Sequence, residues 1–90
     1  MTSSRASLSG RARLEVLVEP FTVNDPGPHV TAAIDAIEAA GLVADMGPFA
    51  TITEGSFDQV LVAMNALTAA GFIAGADAIQ IRIERVDPQS

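Results

Sequence analysis

Ninety residues with a net charge of −6 and no cysteine can form one small domain around one core, without disulfides, thiolate nucleophiles or Cys-ligated metal sites. The acidic balance argues against binding to a nucleic-acid backbone, and no apolar run is long enough for a membrane span or a secretory signal. The sequence therefore predicts a cytoplasmic protein with no nucleic-acid or membrane partner. Residues 1–10 are Ser-rich and lack hydrophobic periodicity, so we expect a disordered tail before a single domain over 11–87.

The first two elements follow from periodicity and from proline and glycine. Apolar and polar residues alternate from Arg13 to Glu19, which predicts a half-buried strand that ends at Pro20. After a loop rich in Pro, Gly, Asn and Asp, Pro28 suits the first position of a helix, where a backbone N–H would be unbonded anyway. Apolar residues then recur with the helical period up to Gly41, a typical C-terminal cap.

The second half of the chain predicts a hairpin, a helix and a last strand. Two short strand-like segments, LVADMGP and FATITEG, are separated by the turn pair Gly47-Pro48. Ser56 and Gln59 form a capping box, so the second helix begins at Phe57 and ends near Gly75. Apolar and polar residues alternate again in the final strand. The apolar stripe of the second helix is predicted to contain Val60, Leu61, Met64, Leu67 and Phe72.

This element order predicts the α+β class and the ferredoxin-like βαββαβ fold, a four-stranded antiparallel sheet in the order 4-1-3-2 with two helices on one face. The alternation in each strand then assigns its residues to one of the two faces of the sheet. Facing the helices we expect Leu14, Val16, Val18, Ala50, Ile52, Ile79, Ile81 and Ile83. On the opposite side, called here the open face, we expect Arg13, Glu15, Leu17, Glu19, Phe49, Thr51, Thr53, Gln80, Arg82 and Glu84.

Catalytic, metal and RNA sites are not predicted. The single histidine, His29, has no second histidine or cysteine to form a nucleophile and base pair, so we expect no enzyme activity. The loop after the first strand lacks the arginine that acylphosphatase chemistry requires.

Phe49 is the only aromatic residue predicted on the central strands, and one ring is too few for the base stacking that RNA-recognition domains use. Glu15, Glu19 and Glu54 match no metal-binding loop, and no cofactor is expected.

The open face is the most informative predicted surface. Glu15 on the first strand is expected to neighbour Arg82 on the last, with Thr51 and Thr53 on the other side. Converging hydroxyl, carboxylate, amide and guanidinium groups could bind a polar ligand, could stabilise the sheet, or could pack on another copy of the chain. On the residues alone self-association is favoured over ligand binding, and the two are compatible.

Four segments, LVEPFTVNDPG, GPFATITEG, FDQVLVAMNAL and AGADAIQIRIE, occur in an order and spacing that resembles the small thiamine-binding protein family. The resemblance covers about residues 13–86. It implies a ferredoxin-like domain that forms a homo-oligomer, a dimer or a tetramer, and binds thiamine or its hydroxymethylpyrimidine moiety without catalysis. Carried over by position, the resemblance points to Phe49, Thr51, and the strand end at Glu19, Pro20 and Phe21.

An aminopyrimidine needs hydrogen-bond acceptors for its exocyclic amine, a donor for a ring nitrogen and an apolar surface against which the ring can pack. The thiazolium ring of thiamine is a cation, which suits an acidic surface. The alternative is a self-assembling structural or regulatory module with no small-molecule ligand. The candidate ligand-binding residues are Thr51, Thr53, Phe49, Glu19, Phe21 and Glu15.

Overall fold

The structure, a computed structural model, describes residues 8–22, 25–47 and 50–86. Residues 1–7 of the predicted tail and residue 87 of the predicted domain lie outside this part of the chain. In chain order the elements are β1 (Arg11–Glu19), α1 (Pro28–Ala39), β2 (Asp45–Met46), β3 (Thr51–Ser56), α2 (Phe57–Ile73) and β4 (Ala78–Val86).

The four strands form one antiparallel sheet in the order β2-β3-β1-β4, which is the predicted order 4-1-3-2 read from the other edge. β2 is shorter than the predicted strand. The hairpin that follows it is closed by a hydrogen bond of 2.9 Å from the Gly47 N–H to the Ala50 carbonyl, at the predicted Gly-Pro turn. No helix in the described ranges is long and apolar enough to span a membrane.

Both helices begin and end where the capping residues predict. Pro28 is the first residue of α1, and Gly41 follows its last turn with φ of 91°, a conformation that glycine adopts without strain. At the start of α2 the Ser56 hydroxyl accepts a hydrogen bond of 3.1 Å from the Gln59 N–H. Gly75, with φ of 112°, follows the end of α2.

The core lies between the two helices and one face of the sheet. Phe72, which was predicted to continue the apolar stripe of the second helix, is 48% exposed and does not belong to the core. Gly71 is buried instead, and a Cβ at that position would lie 2.9 Å from Cδ1 of Ile79, so its missing side chain lets α2 approach β4. The buried apolar residues are Ala12, Leu14, Val16, Val18, Val30, Ala33, Ile37, Leu42, Val60, Ala63 and Leu67.

The two faces of β3 are the reverse of the prediction. Thr51 pairs with Val16 and Thr53 with Leu14; since directly opposed residues share a face, both threonines point toward the helices. They are 8% and 3% exposed, whereas Ile52 is 37% exposed on the open face. The physical reason is that side chains two residues apart in a strand lie on the same face. An inward Ile52 would therefore bring Glu54 inward as well, and burying a carboxylate costs far more free energy than burying a hydroxyl.

Candidate functional site

The candidate site lies where the ladder between β1 and β3 ends. The last pair of that ladder is Val16 with Thr51. In the described part of the chain, the next residues of β1, from Leu17 to Glu19, pair with β4 alone. Ala50 lies beside Leu17 without joining the ladder. Concave surfaces therefore occur on both sides of the sheet at this point.

On the open face there is a hollow of about 260 Å³, called here the open-face hollow. Its polar groups come from paired positions of β1 and β4: Glu15 lies opposite Arg82, as predicted, and Leu17 lies opposite Gln80. Adjacent strands thus present a carboxylate, an amide and a guanidinium beside an aliphatic side chain. The residues that line the hollow are Glu15, Val16, Leu17, Ala50, Gln80, Ile81 and Arg82.

A chain of ion pairs fixes the charges at one border of the hollow. Glu84 accepts hydrogen bonds of 2.7 Å from Arg82 and 2.7 Å from Arg13, and Arg13 also pairs with Glu54 at 3.0 Å. The hydrogen bond from Arg82, together with the positive charges of Arg82 and Arg13, lowers the pKa of Glu84 below its ordinary value of 4.5. The hydrogen bond and charge of Glu84, and more weakly the charge of Glu15, raise the pKa of Arg82.

Two carboxylates of the open face differ in their bonding. Glu19 accepts a hydrogen bond of 2.6 Å from Nε2 of Gln80, which positions that amide at the hollow. Glu15 forms no salt bridge with any described side chain, so its oxygens can accept hydrogen bonds from another molecule.

On the helix side lies a much smaller apolar space, called here the interlayer cleft, of about 10 Å³, roughly room for one water molecule. The loop that follows β1 contributes Phe21 to the lining of the cleft. A bond of 2.6 Å between Nε2 of His29 and the Pro20 carbonyl holds this loop against the start of α1. The lining of the cleft is aliphatic apart from Phe21 and Thr51: Val16, Leu17, Val18, Phe21, Val30, Ala33, Ile34, Ile37, Ala50 and Thr51.

The predicted site residues lie in three different places: the open-face hollow, the interlayer cleft and the core. Glu15 lines the hollow and Glu19 bonds to a residue that lines it. Thr51 and Phe21 line the cleft instead, so the expected convergence of hydroxyl and carboxylate groups on one face was wrong. Thr53 is buried in the core. Its Oγ1 has no hydrogen-bond partner among the described residues.

Other residues behave differently from the prediction or were missed by it. Phe49 lies outside the described residues. Leu17, Gln80 and Arg82 line the hollow but were absent from the predicted site, although the strand order and alternation already placed them on the open face beside Glu15. In the described ranges no group of three or more His, Asp or Glu side chains is placed to hold a metal ion.

Comparison with known proteins adds a family and a fold. A model of a family described as "Thiamine-binding protein" matches residues 14–89. No curated protein matches the chain. Among solved structures, a domain of unknown function from Bacillus cereus superposes with a TM-score of 0.65 at 22% identity, covering 91% of this chain and 81% of that one.

Two further structures have the same fold. One is a protein of Thermotoga maritima for which a role in thiamine biosynthesis or salvage has been proposed; it has a TM-score of 0.64 at 21% identity and covers 88% of this chain and 91% of its own. The other is a protein of Streptococcus pneumoniae, with a TM-score of 0.58 at 21% identity and coverages of 89% and 91%. At these identities the similarity shows the fold alone.

Proposed function

Because the chain belongs to the thiamine-binding protein family, we propose that it is a ferredoxin-like domain that binds thiamine or its hydroxymethylpyrimidine moiety without catalysis. We place the ligand in the open-face hollow. The observation that carries this proposal is the meeting of Glu15, Gln80 and Arg82 around a concave surface with an aliphatic side.

Volume favours the hollow over the cleft. Small-molecule pockets usually measure about 300–1,000 Å³. The hollow, at about 260 Å³, is close to that range, whereas the cleft of about 10 Å³ has room for one water. A pyrimidine ring can enter the hollow without rearrangement, but binding at Thr51 would require α1 and the sheet to separate.

The groups in the hollow match the hydrogen-bonding pattern of an aminopyrimidine. The free carboxylate of Glu15 can accept from the exocyclic amine, and the N–H groups of Gln80 or Arg82 can donate to a ring nitrogen. Leu17 and Ala50 supply apolar contact for the ring face. For thiamine, the thiazolium cation is favoured near Glu15 and Glu19 and by the net charge of −6.

The absence of catalysis is part of the proposal. His29, the single histidine, bonds to the Pro20 carbonyl in the loop after β1 and is not among the residues that line the hollow. This bond explains His29 as a contact between the loop and α1. Among the described residues that line the hollow, none is a nucleophile paired with a base.

Calorimetric titration of the purified protein with thiamine, hydroxymethylpyrimidine and their phosphates tests the proposal. We expect a dissociation constant of micromolar order for at least one of them. Glu15→Gln should weaken it about 10-fold to 100-fold, because a hydrogen bond to a charged group contributes about 1.5–3 kcal/mol. Unchanged heat with every compound would refute the proposal.

Thr51→Val is the matched variant that locates the ligand. With the ligand in the hollow, this change should alter affinity by less than about twofold, since Thr51 faces the helices. If Thr51→Val abolished binding and Glu15→Gln did not, the ligand would bind in the cleft, and the placement in the hollow would be wrong.

A further inference from the structure

The guanidinium of Arg82 bonds along its own strand rather than across the sheet. Its directly opposed residue on β1 is Glu15, yet among the described side chains no salt bridge joins these two. Instead, Nη2 and Nε of Arg82 donate hydrogen bonds of 2.7 Å and 3.2 Å to one carboxylate oxygen of Glu84. Because the Arg82 side chain is 67% exposed, little packing fixes it, and these two bonds decide where its charge lies.

Glu84 is itself held by a second arginine. Its other oxygen accepts a hydrogen bond of 2.7 Å from Nη1 of Arg13, which lies directly opposite on β1. Arg13 also bonds to Glu54 on β3. The Glu84 carboxylate thus has a fixed position between two guanidinium groups. Arg82 is the member of this network that lines the open-face hollow, so the network acts on the hollow through Arg82.

This bonding sets the charge of the hollow. Among the described residues that line it, Arg82 is the single cation and Glu15 the single anion. The charge of Arg82 is compensated by Glu84, whereas Glu15 has no salt-bridge partner among the described side chains. Glu19, which bonds to Gln80 at the same surface, adds a second carboxylate. The hollow is therefore a negative site, which favours a cation or an N–H donor and disfavours a phosphate.

We propose, on the premise that the hollow binds thiamine or hydroxymethylpyrimidine, that Glu84 is a positioning residue that makes this site selective for the unphosphorylated ligand. By holding Arg82, it keeps the carboxylate of Glu15 free. In hydroxymethylpyrimidine the carbon next to the amine-bearing carbon carries the hydroxymethyl group, so a ligand whose amine bonds to Glu15 also places this group beside Glu15. A hydroxyl is accepted there, the thiazolium cation that replaces it in thiamine is attracted, and a phosphate is repelled.

Without the charge of Glu84, the guanidinium of Arg82 has its cross-strand neighbour Glu15 as a partner. Oppositely charged side chains that face each other on adjacent strands attract, so Arg82 would turn toward Glu15 in the Glu84→Gln variant. There it would compete with the amine and the thiazolium of a ligand for Glu15, and its N–H groups would bind a phosphate. Loss of the Glu84 charge should therefore weaken thiamine binding and strengthen the binding of hydroxymethylpyrimidine phosphate.

Calorimetric titration with thiamine, hydroxymethylpyrimidine and hydroxymethylpyrimidine phosphate tests this selectivity. For the unmodified protein we expect the phosphate to bind at least about tenfold more weakly than hydroxymethylpyrimidine. Glu84→Gln should reduce that ratio at least about fivefold, and it should weaken thiamine binding by about twofold to fivefold, the range of an exposed ion pair. Glu54→Gln is the matched control. It removes the same charge from the same network, but Glu54 bonds to Arg13 and not to Arg82, so the ratio should change by less than about twofold.

The Arg82→Gln background shows whether Glu84 acts through the guanidinium. In that background Glu84→Gln should alter thiamine affinity by less than about twofold, whatever Arg82→Gln does alone, and circular dichroism should show that every variant is folded. Equal affinities of the unmodified protein for hydroxymethylpyrimidine and its phosphate would overturn the selectivity and leave the proposed function in place, whereas no heat with any compound would overturn both. An equal change of the ratio in Glu54→Gln, or an undiminished effect of Glu84→Gln without Arg82, would show that Glu84 does not position the guanidinium.

Discussion

Replacing Thr53 by valine should stabilise the protein. Its Oγ1 is buried and has no hydrogen-bond partner among the described residues, and the residue is 3% exposed. A buried polar group without a partner costs about 1–3 kcal/mol. Valine keeps the shape and the β-branch that suits a strand. Thr53→Val should therefore raise the free energy of unfolding by at least about 1 kcal/mol. In a domain of this size that raises Tm by about 4–8 °C.

Urea unfolding followed by circular dichroism measures this change directly. The midpoint should rise while the slope with denaturant stays constant, because the surface exposed on unfolding is nearly the same. Thr51→Val is the control: Thr51 is 8% exposed, and among the described residues the buried hydroxyl without a partner is that of Thr53 and not that of Thr51, so its gain should be smaller. A lower midpoint for Thr53→Val would show that the hydroxyl is hydrogen-bonded and that the reasoning is wrong.

Two further changes test the capping and the charges. Ser56→Ala removes the acceptor for the Gln59 N–H and should cost about 1 kcal/mol in urea unfolding, whereas Ser56→Gly should cost a few tenths; equal losses would refute a capping role. Glu84 has a pKa below 4.5 in the folded state, so its carboxylate stabilises the fold above about pH 4.5, and this contribution is lost as the pH falls through the folded pKa. Glu84→Gln should flatten the fall of the urea midpoint between about pH 5 and pH 3, and an unchanged pH profile would show that Arg82 and Arg13 do not stabilise that carboxylate.

Most of the fold could be predicted because its signals are local. Pro28, Gly41, Ser56 and Gly75 mark helix ends through backbone requirements that hold whatever the tertiary context. The order of the elements then restricts the topology, since crossovers between strands in such sheets are right-handed. The neighbours Glu15 and Arg82 follow from this order and are paired in the structure.

The orientation of β3 could not be read from hydrophobicity alone. A pattern of Ala50 and Ile52 against Thr51 and Thr53 favours an inward isoleucine by side-chain transfer energy. Besides the cost of burying Glu54, the packing at the far end of the strand favours the observed orientation, because Ala12 lies opposite Gly55 there. A Cβ on Gly55 would lie 2.5 Å from Leu42 Cδ2, so that position requires glycine, and the alternation then places both threonines inward.

This reversal changes what the strand can contribute to binding. Because Thr51 faces the cleft, a ligand in the open-face hollow is connected to it only through the residues that line both spaces, Val16, Leu17 and Ala50. Any effect of Thr51 on affinity in that case is transmitted by packing and should be small. Glu15 instead presents its carboxylate directly to the hollow, so the ratio of the affinity losses in Glu15→Gln and Thr51→Val measures on which side of the sheet the ligand binds.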